Sequence, residues 1–127
     1  MFSGCTSLTT IPDNLLPATT LAGSCYSSMF SGCTGLTTIP SNLLPATILA
    51  IACYQNMFSG CTSLVETPDG WYLPAQTTNF DSCSSMFSNC SKLQKMAVSY
   101  SGAITADHWS NFLVGVSSTG TFYYSKN

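Results

Sequence analysis

Hydrophobic side chains recur along the chain in adjacent pairs, separated by two small or polar residues. Between residues 21 and 33 they stand at Leu21, Cys25, Tyr26, Met29, Phe30 and Cys33, in steps of 4, 1, 3, 1 and 3. Residues three and four apart lie on one face of an α-helix, so the pattern predicts a short helical turn with this face buried. A Leu-x-x-Ile sequence then predicts a strand. Pro12 and Pro40 should limit these strands to a few residues, because proline cannot donate to a strand ladder.

This pattern belongs to an internal repeat. Residues 1–8 read Met-Phe-Ser-Gly-Cys-Thr-Ser-Leu, and the series returns at residues 29–36, 57–64 and, more loosely, 86–93, at offsets of 28, 28 and 29 residues. A repeat of this length cannot bury its apolar face alone, so successive units are expected to stack. The chain is therefore interpreted as a single domain, 1–127, with repeats at 1–28 (unit 1), 29–56 (unit 2), 57–85 (unit 3) and 86–127 (unit 4, a divergent closing unit).

The C-terminal part has a different sequence, but its predicted strands and helix recur at similar intervals. Alternation predicts strands at Lys95–Tyr100 and at residues 121–125. Between them, apolar residues from Trp109 to Val116 have helical spacing, with Thr105 as the N-cap and Gly115 near the helix end. Aligning the strands by their inward residues gives five coils, centred on Ile11, Ile39, Thr67, Met96 and Phe122.

The series Met-Phe-x-x-Cys-x-x-Leu-x-x-Ile-Pro resembles the BspA-type leucine-rich repeats of surface proteins from gut and oral bacteria, over about three quarters of the chain. The segment from Trp109 to Phe122 also looks like the one that closes such arrays. The resemblance implies an α/β fold: a leucine-rich-repeat solenoid of about five coils, each a short parallel strand plus a helical turn. It also implies export, an extracellular or cell-surface location and adhesion, with this chain a fragment of a longer bacterial surface protein. The longer unit and its Leu-Leu-Pro-Ala insert depart from the common short repeat, so the identity of a ligand does not carry over.

Charge narrows the possible functions. Charged residues make up 6% of the chain, against about 25% in a typical soluble domain, and the net charge is −2. Without a basic surface, nucleic-acid binding and binding to anionic membranes are disfavoured. No apolar run approaches the ~20 residues that a membrane span needs, so no membrane insertion is expected.

The seven cysteines follow the repeat. Cys5, Cys33, Cys61 and Cys90 share one repeat position, Cys25 and Cys53 share another, and Cys83 aligns with Tyr26 and Tyr54. Equivalent residues in stacked units form columns about 5 Å apart. Buried structural thiols are favoured over disulfides and over zinc, because free buried cysteine is common and zinc needs convergent pairs. No metal and no other cofactor is expected.

The sequence shows no set of histidine, carboxylate or nucleophilic side chains whose spacing suits catalysis. His108 is the only histidine, and its neighbour Asp107 would not face it on a helix. Glu66 and Asp69 flank Pro68 and are expected along one turn edge rather than across a cleft. The chain is therefore predicted not to be an enzyme.

The candidate ligand-binding residues lie beside the predicted strands. One exposed row contains Thr10, Thr38, Glu66 and Lys95; Asp69, Trp71 and Tyr72 lie in the one irregular turn beside it. Aromatic side chains in an exposed turn suit protein or glycan binding. The alternative for Trp71 and Tyr72 is that they cover the core beneath a looser turn.

Two functions remain open. The first is a recognition or adhesion module that binds a protein or glycan on a host or microbial surface. The second is a structural spacer or fibre component, of the cell-surface or phage-tail type, that assembles through open solenoid ends. The apolar N-terminal coil has no polar cap, so it is expected to be covered by further repeats or by self-association.

Overall fold

Successive repeats stack on one another through backbone hydrogen bonds. The computed structural model describes residues 1–46, 49–68, 71–72, 82–100, 113–117 and 121–126. The Phe2 N–H donates to the carbonyl of Met29 at 2.9 Å, and the Gly4 N–H donates to the carbonyl of Ser31 at 2.7 Å. The same bonds recur from unit 2 to unit 3 and from unit 3 to unit 4.

The stacked backbone on one side of each unit is a series of tight turns. We call this part the turn stack; it comprises residues 1–5, 22–33, 50–61 and 82–90. Within it, alternate N–H groups donate to the carbonyl three residues back, as Met29 does to Tyr26 at 3.2 Å. The intervening N–H groups donate to the next unit, as Ser28 does to Gln55 at 2.8 Å. Each turn therefore uses its backbone groups both locally and between units.

Left-handed backbone conformations set the four-residue period of these turns. Ser24, Ser28 and Gly32 have φ values of 56°, 55° and 73°, and the pattern returns in the later units. The fourth residue of each Met-Phe-x-Gly-Cys series has a positive φ in all four units, with Gly4, Gly32, Gly60 and Asn89 at this position. Glycine adopts this conformation without a Cβ clash, and asparagine tolerates it better than most residues. Ser24, Ser28, Ser85 and Ala52 also adopt it.

The predicted α/β leucine-rich-repeat solenoid of helical turns and short strands is wrong. None of the described residues is helical, including residues 21–33, where a helical turn was predicted. The apolar pairs repeat every 4 residues, whereas an α-helix turns every ~3.6, so such a pattern drifts by about 40° per step around a helix. The serine and glycine residues between the pairs are also poor helix formers. Four-residue turns with a left-handed residue match the period.

Aromatic rings fill the interior behind the turn stack. Phe30, Phe58 and Phe87 are fully buried, while Phe2 is half-buried. Neighbouring rings in this column lie parallel, with centroids 5.5–5.6 Å apart and interplanar angles of 4–7°. Tyr26 and Tyr54 form a second stacked pair at 6.3 Å. Phe30 lies on the face that the hydrophobic pattern predicted to be buried, and this prediction is confirmed for Phe30 and for Phe58, its equivalent in unit 3.

Regular strands occur only in the later part of the described chain. They are β1 (Trp71–Tyr72), β2 (Lys95–Tyr100) and β3 (Thr121–Lys126), joined in the order β1-β2-β3. All pairs are parallel, and Met96 lies opposite Phe122 in the β2–β3 register. Residues 9–12 and 37–40 form no strand, so the short strands predicted there are wrong; their described backbone–backbone bond runs from the Thr37 N–H to the Thr9 carbonyl at 3.1 Å.

The C-terminal predictions have mixed outcomes. The strand at Lys95–Tyr100 is confirmed at both ends, and the strand that begins at Thr121 runs one residue further than predicted. Most of the helix predicted up to Val116, including Thr105, His108 and Trp109, lies outside the described residues. The part that is described, residues 113–117, forms a turn in which Gly115 has a φ of 76°.

Candidate binding surface

The exposed row at the edge of the stack is the candidate binding surface. Thr10, Thr38 and Glu66 are exposed, and Lys95 is half-buried. We call these four residues the strand-side row. The backbone beside the row bonds from unit to unit: the Thr37 hydroxyl donates to the Thr9 carbonyl at 3.2 Å, and the Thr67 N–H donates to the Lys95 carbonyl at 3.1 Å. Glu66 and Lys95 are partners in a parallel bridge. The predicted row therefore lies on equivalent positions of adjacent units.

The residues that follow the row hold it against the core. Ile11, Ile39, Thr67 and Met96 are all buried, as their inward alignment predicted. Thr67 is a polar residue in this apolar column and is 3% exposed. The alternation of exposed and buried positions leaves the row on the outer surface.

A shallow hollow adjoins the middle of the row. Its volume is about 90 Å³, and it is lined by Thr38, Ile39, Glu66, Thr67 and Pro68. The lining combines hydroxyl groups, a carboxylate and apolar carbon atoms. Such a lining can accept hydrogen bonds from a ligand and contact its apolar face, which is what protein side chains and sugar rings require.

The aromatic residues predicted in an irregular turn are in a strand. Trp71 and Tyr72 form β1, with Trp71 opposite Val98 and Tyr72 opposite Ser99. The backbone there is thus paired to β2 rather than looped outward. Asp69, the remaining candidate, lies outside the described residues.

The buried thiols donate hydrogen bonds from one unit to another, which sequence reasoning did not predict. The Cys33 Sγ donates to the Phe2 carbonyl at 3.0 Å, and the Cys61 Sγ donates to the Phe30 carbonyl at 3.2 Å. The Cys90 Sγ continues the series toward Phe58 at 3.1 Å. Each thiol thus binds the unit before its own. The signal was the fixed spacing of 31, 31 and 32 residues between a phenylalanine and the cysteine of the next unit.

Burial keeps these thiols neutral. It raises the pKa of Cys53 to about 11, and the pKa values of Cys61 and Cys90 to about 12. The pKa values of Cys33 and Cys83 are raised for the same reason. Since the thiolate is the reactive form, these sulfurs are poor nucleophiles and poor metal ligands.

Burial of all seven cysteines was expected, and the structure confirms it for five. Cys5 and Cys25 are exposed. Both belong to unit 1, which has no described unit on its outer side. The described cysteines are all free thiols. Within the described ranges, no three His, Cys, Asp or Glu side chains are grouped so that they could hold a metal ion, and no helix has the length and apolarity of a membrane span.

Comparisons with protein families, curated proteins and solved structures found no match for this chain. The resemblance of the repeat to the BspA type therefore stays a prediction.

Proposed function

We propose that the chain is a non-catalytic binding module that contacts a protein or a glycan through the strand-side row. The observation that supports this function is the row itself: Thr10, Thr38 and Glu66 are exposed at equivalent positions of successive units. Stacking fixes the spacing of these side chains before any ligand binds. Such preorganisation lowers the entropic cost of association.

The chemistry of the row suits neutral polar ligands better than strongly charged ones. Threonine hydroxyls donate and accept hydrogen bonds, and the Glu66 carboxylate accepts them. Glu66 and Lys95 bring opposite charges to neighbouring positions, so the row has no strong field of one sign. A location at the cell surface or outside the cell belongs to this proposal and is supported by the resemblance of the repeat.

Two matched substitutions in unit 2 test the proposal. The purified chain is first screened against immobilised extracellular-matrix proteins and a printed array of neutral glycans. Thr38→Arg replaces a hydroxyl of the row with a large cation beside Glu66. It should weaken binding at least tenfold, because the long side chain blocks the hollow and occupies the Glu66 carboxylate. Thr34→Arg changes the same residue type at another exposed position and should leave binding within twofold. Absence of any binding, or equal losses in both variants, would refute the proposed function.

A second candidate function is that of a structural spacer or fibre component. It is favoured by the uniform way in which the units bond to one another, since the same contacts join units 1 to 2, 2 to 3 and 3 to 4. Electron microscopy of concentrated protein tests this alternative. Filaments with a regular axial repeat would support it, and isolated particles at all concentrations would argue against it.

A further inference from the structure

Backbone hydrogen bonds between units of the turn stack all run in one direction. In every such bond that the structure describes, the N–H belongs to the earlier unit and the carbonyl to the later one. Examples are Tyr26 to Cys53 at 3.1 Å and Phe58 to Met86 at 2.9 Å. Each unit therefore has a donor side, which faces later units, and an acceptor side, which faces earlier ones.

Unit 1 presents its acceptor side without a described partner. The carbonyls of Met1 and Ser3 are equivalent to those of Met29 and Ser31, which accept from unit 1. The carbonyls of Gly23, Cys25 and Ser27 are likewise equivalent to acceptors in unit 2. None of these five carbonyls receives a hydrogen bond from the described residues.

The side chains on the acceptor side of unit 1 also lack a described neighbour on their outer side. The Phe2 ring stacks on Phe30 with one of its faces only. Cys5 is exposed, whereas Cys33, at the same repeat position, donates to the phenylalanine carbonyl of the preceding unit. An apolar hollow of about 190 Å³ opens beside them, lined by Phe2, Leu8, Ile11, Pro12, Leu15 and Phe30.

We propose that the acceptor side of unit 1 is a docking surface for a further Met-Phe-x-Gly-Cys unit joined directly ahead of Met1. Such a unit supplies N–H donors at the positions of Phe30 and Gly32, in register with the carbonyls of Met1 and Ser3. Its phenylalanine ring stacks on the open face of Phe2, and its phenylalanine carbonyl accepts the Cys5 thiol. The inference is thus a continuation of the interface that already joins the described units. It does not depend on the strand-side row.

A second copy of the chain fits this surface poorly. Two acceptor sides placed face to face would oppose carbonyl to carbonyl and form no hydrogen bonds. At the other end of the turn stack, the Asn89 N–H is already used, since it donates to the Val114 carbonyl at 2.6 Å. The partner is therefore a repeat unit with a free donor side, attached so that its register is fixed.

The test adds a copy of residues 29–56 ahead of Met1. The new junction, Asn56 to Met1, repeats the order of the natural Asn56–Met57 junction. Alkylation by iodoacetamide under native conditions is then followed residue by residue with mass spectrometry. In the parent chain Cys5 and Cys25 should react, whereas in the extended chain both should react at least tenfold more slowly. A control extension of the same length and composition, with its order scrambled, should leave both rates within twofold of the parent.

Protection of Cys33 and Cys61 reports whether the parent units remain folded in each chain, so failure to fold is distinguished from failure to dock. If both stay protected while Cys5 and Cys25 remain fully reactive in the extended chain, the proposal is wrong. It is also wrong if these two thiols of the parent chain become protected as its concentration rises, because a second copy would then occupy the surface.

Discussion

Phe58 is the side chain whose truncation tests the stacked interior most directly. Its ring is fully buried and lies between the Phe30 ring at 5.6 Å and the Phe87 ring at 5.5 Å. Its carbonyl also accepts the Cys90 thiol. Phe58→Ala removes the ring and leaves the backbone bonds in place, so it measures what the aromatic column contributes.

The expected loss can be estimated from burial and ring contacts. Truncation of a buried phenylalanine to alanine costs about 3–5 kcal/mol, which includes transfer of the ring and the cavity it leaves. Stacked aromatic pairs contribute roughly 0.5–1.5 kcal/mol each beyond burial, and Phe58 has two such neighbours. We therefore expect the upper part of the range, about 4–5 kcal/mol.

Phe2→Ala is the matched control. Phe2 has the same repeat position and ring orientation, but it is half-buried and has one stacked neighbour. Its truncation should cost roughly half as much, about 2 kcal/mol. Urea unfolding followed by circular dichroism gives the free energy of unfolding of each variant. The comparison holds if the slope of this free energy against urea concentration is the same as in the parent chain. A loss below about 1 kcal/mol for Phe58→Ala, the ordinary range for a surface site, would refute the stacked interior. A Phe2→Ala loss equal to that of Phe58→Ala would do the same.

Four further outcomes are expected. Tyr54→Phe should leave the melting temperature unchanged or raise it, because the buried Tyr54 hydroxyl has no hydrogen-bond partner among the described residues and its removal relieves desolvation; a loss above about 1 kcal/mol would reveal a partner. Native labelling with a maleimide should modify Cys5 and Cys25, and all seven thiols should react after unfolding; a third reactive thiol in the folded chain would contradict the burial pattern. Stability should fall as the pH rises above the ordinary thiol pKa of 9.0 toward 12, because burial raises folded-state pKa values to about 11 or 12 and the unfolded chain ionises first; a melting temperature constant from pH 8 to 11 would argue against neutral buried thiols. Gly35→Ala should cost about 1–3 kcal/mol, since its new Cβ would lie 2.5 Å from a backbone carbonyl of unit 1, whereas Ser63→Ala at the same position of unit 3 should stay within about 0.5 kcal/mol; equal melting temperatures would contradict that close approach.

The position of a residue within the repeat predicted whether its side chain is buried, because equivalent residues of successive units occupy equivalent positions in the stack. The buried column from Ile11 to Met96 and the core positions of Phe30 and Phe58 followed from phase alone. Strand β2 was predicted at its observed bounds, since a two-residue alternation has no competing interpretation over six residues.

The position within the repeat did not, however, predict the backbone conformation of the turns. Steps of three and four residues are shared by an α-helix and by turns of period four, and the hydrophobic pattern over one unit is too short to separate them. The distinguishing signal was the small residue at every fourth position, such as Ser24, Ser28 and Gly32, where the backbone is left-handed. Exposure of Cys5 and Cys25 depends on what lies outside unit 1, which repeat phase does not specify.

The one-way backbone bonds of the turn stack give this part of the molecule a dipole moment along the stack. Each peptide unit contributes a dipole of about 3.5 D, and bonds aligned along the stack add their dipoles as they do in a helix, with the negative pole at the carbonyl end. That end is unit 1. The charged side chains reinforce this polarity: the three lysines, Lys92, Lys95 and Lys126, all belong to unit 4, whereas the only charged side chain in units 1 and 2 is Asp13. The chain should therefore orient near a charged surface, with unit 4 toward negative charge, and the orienting torque should weaken as salt shortens the screening length to about 8 Å.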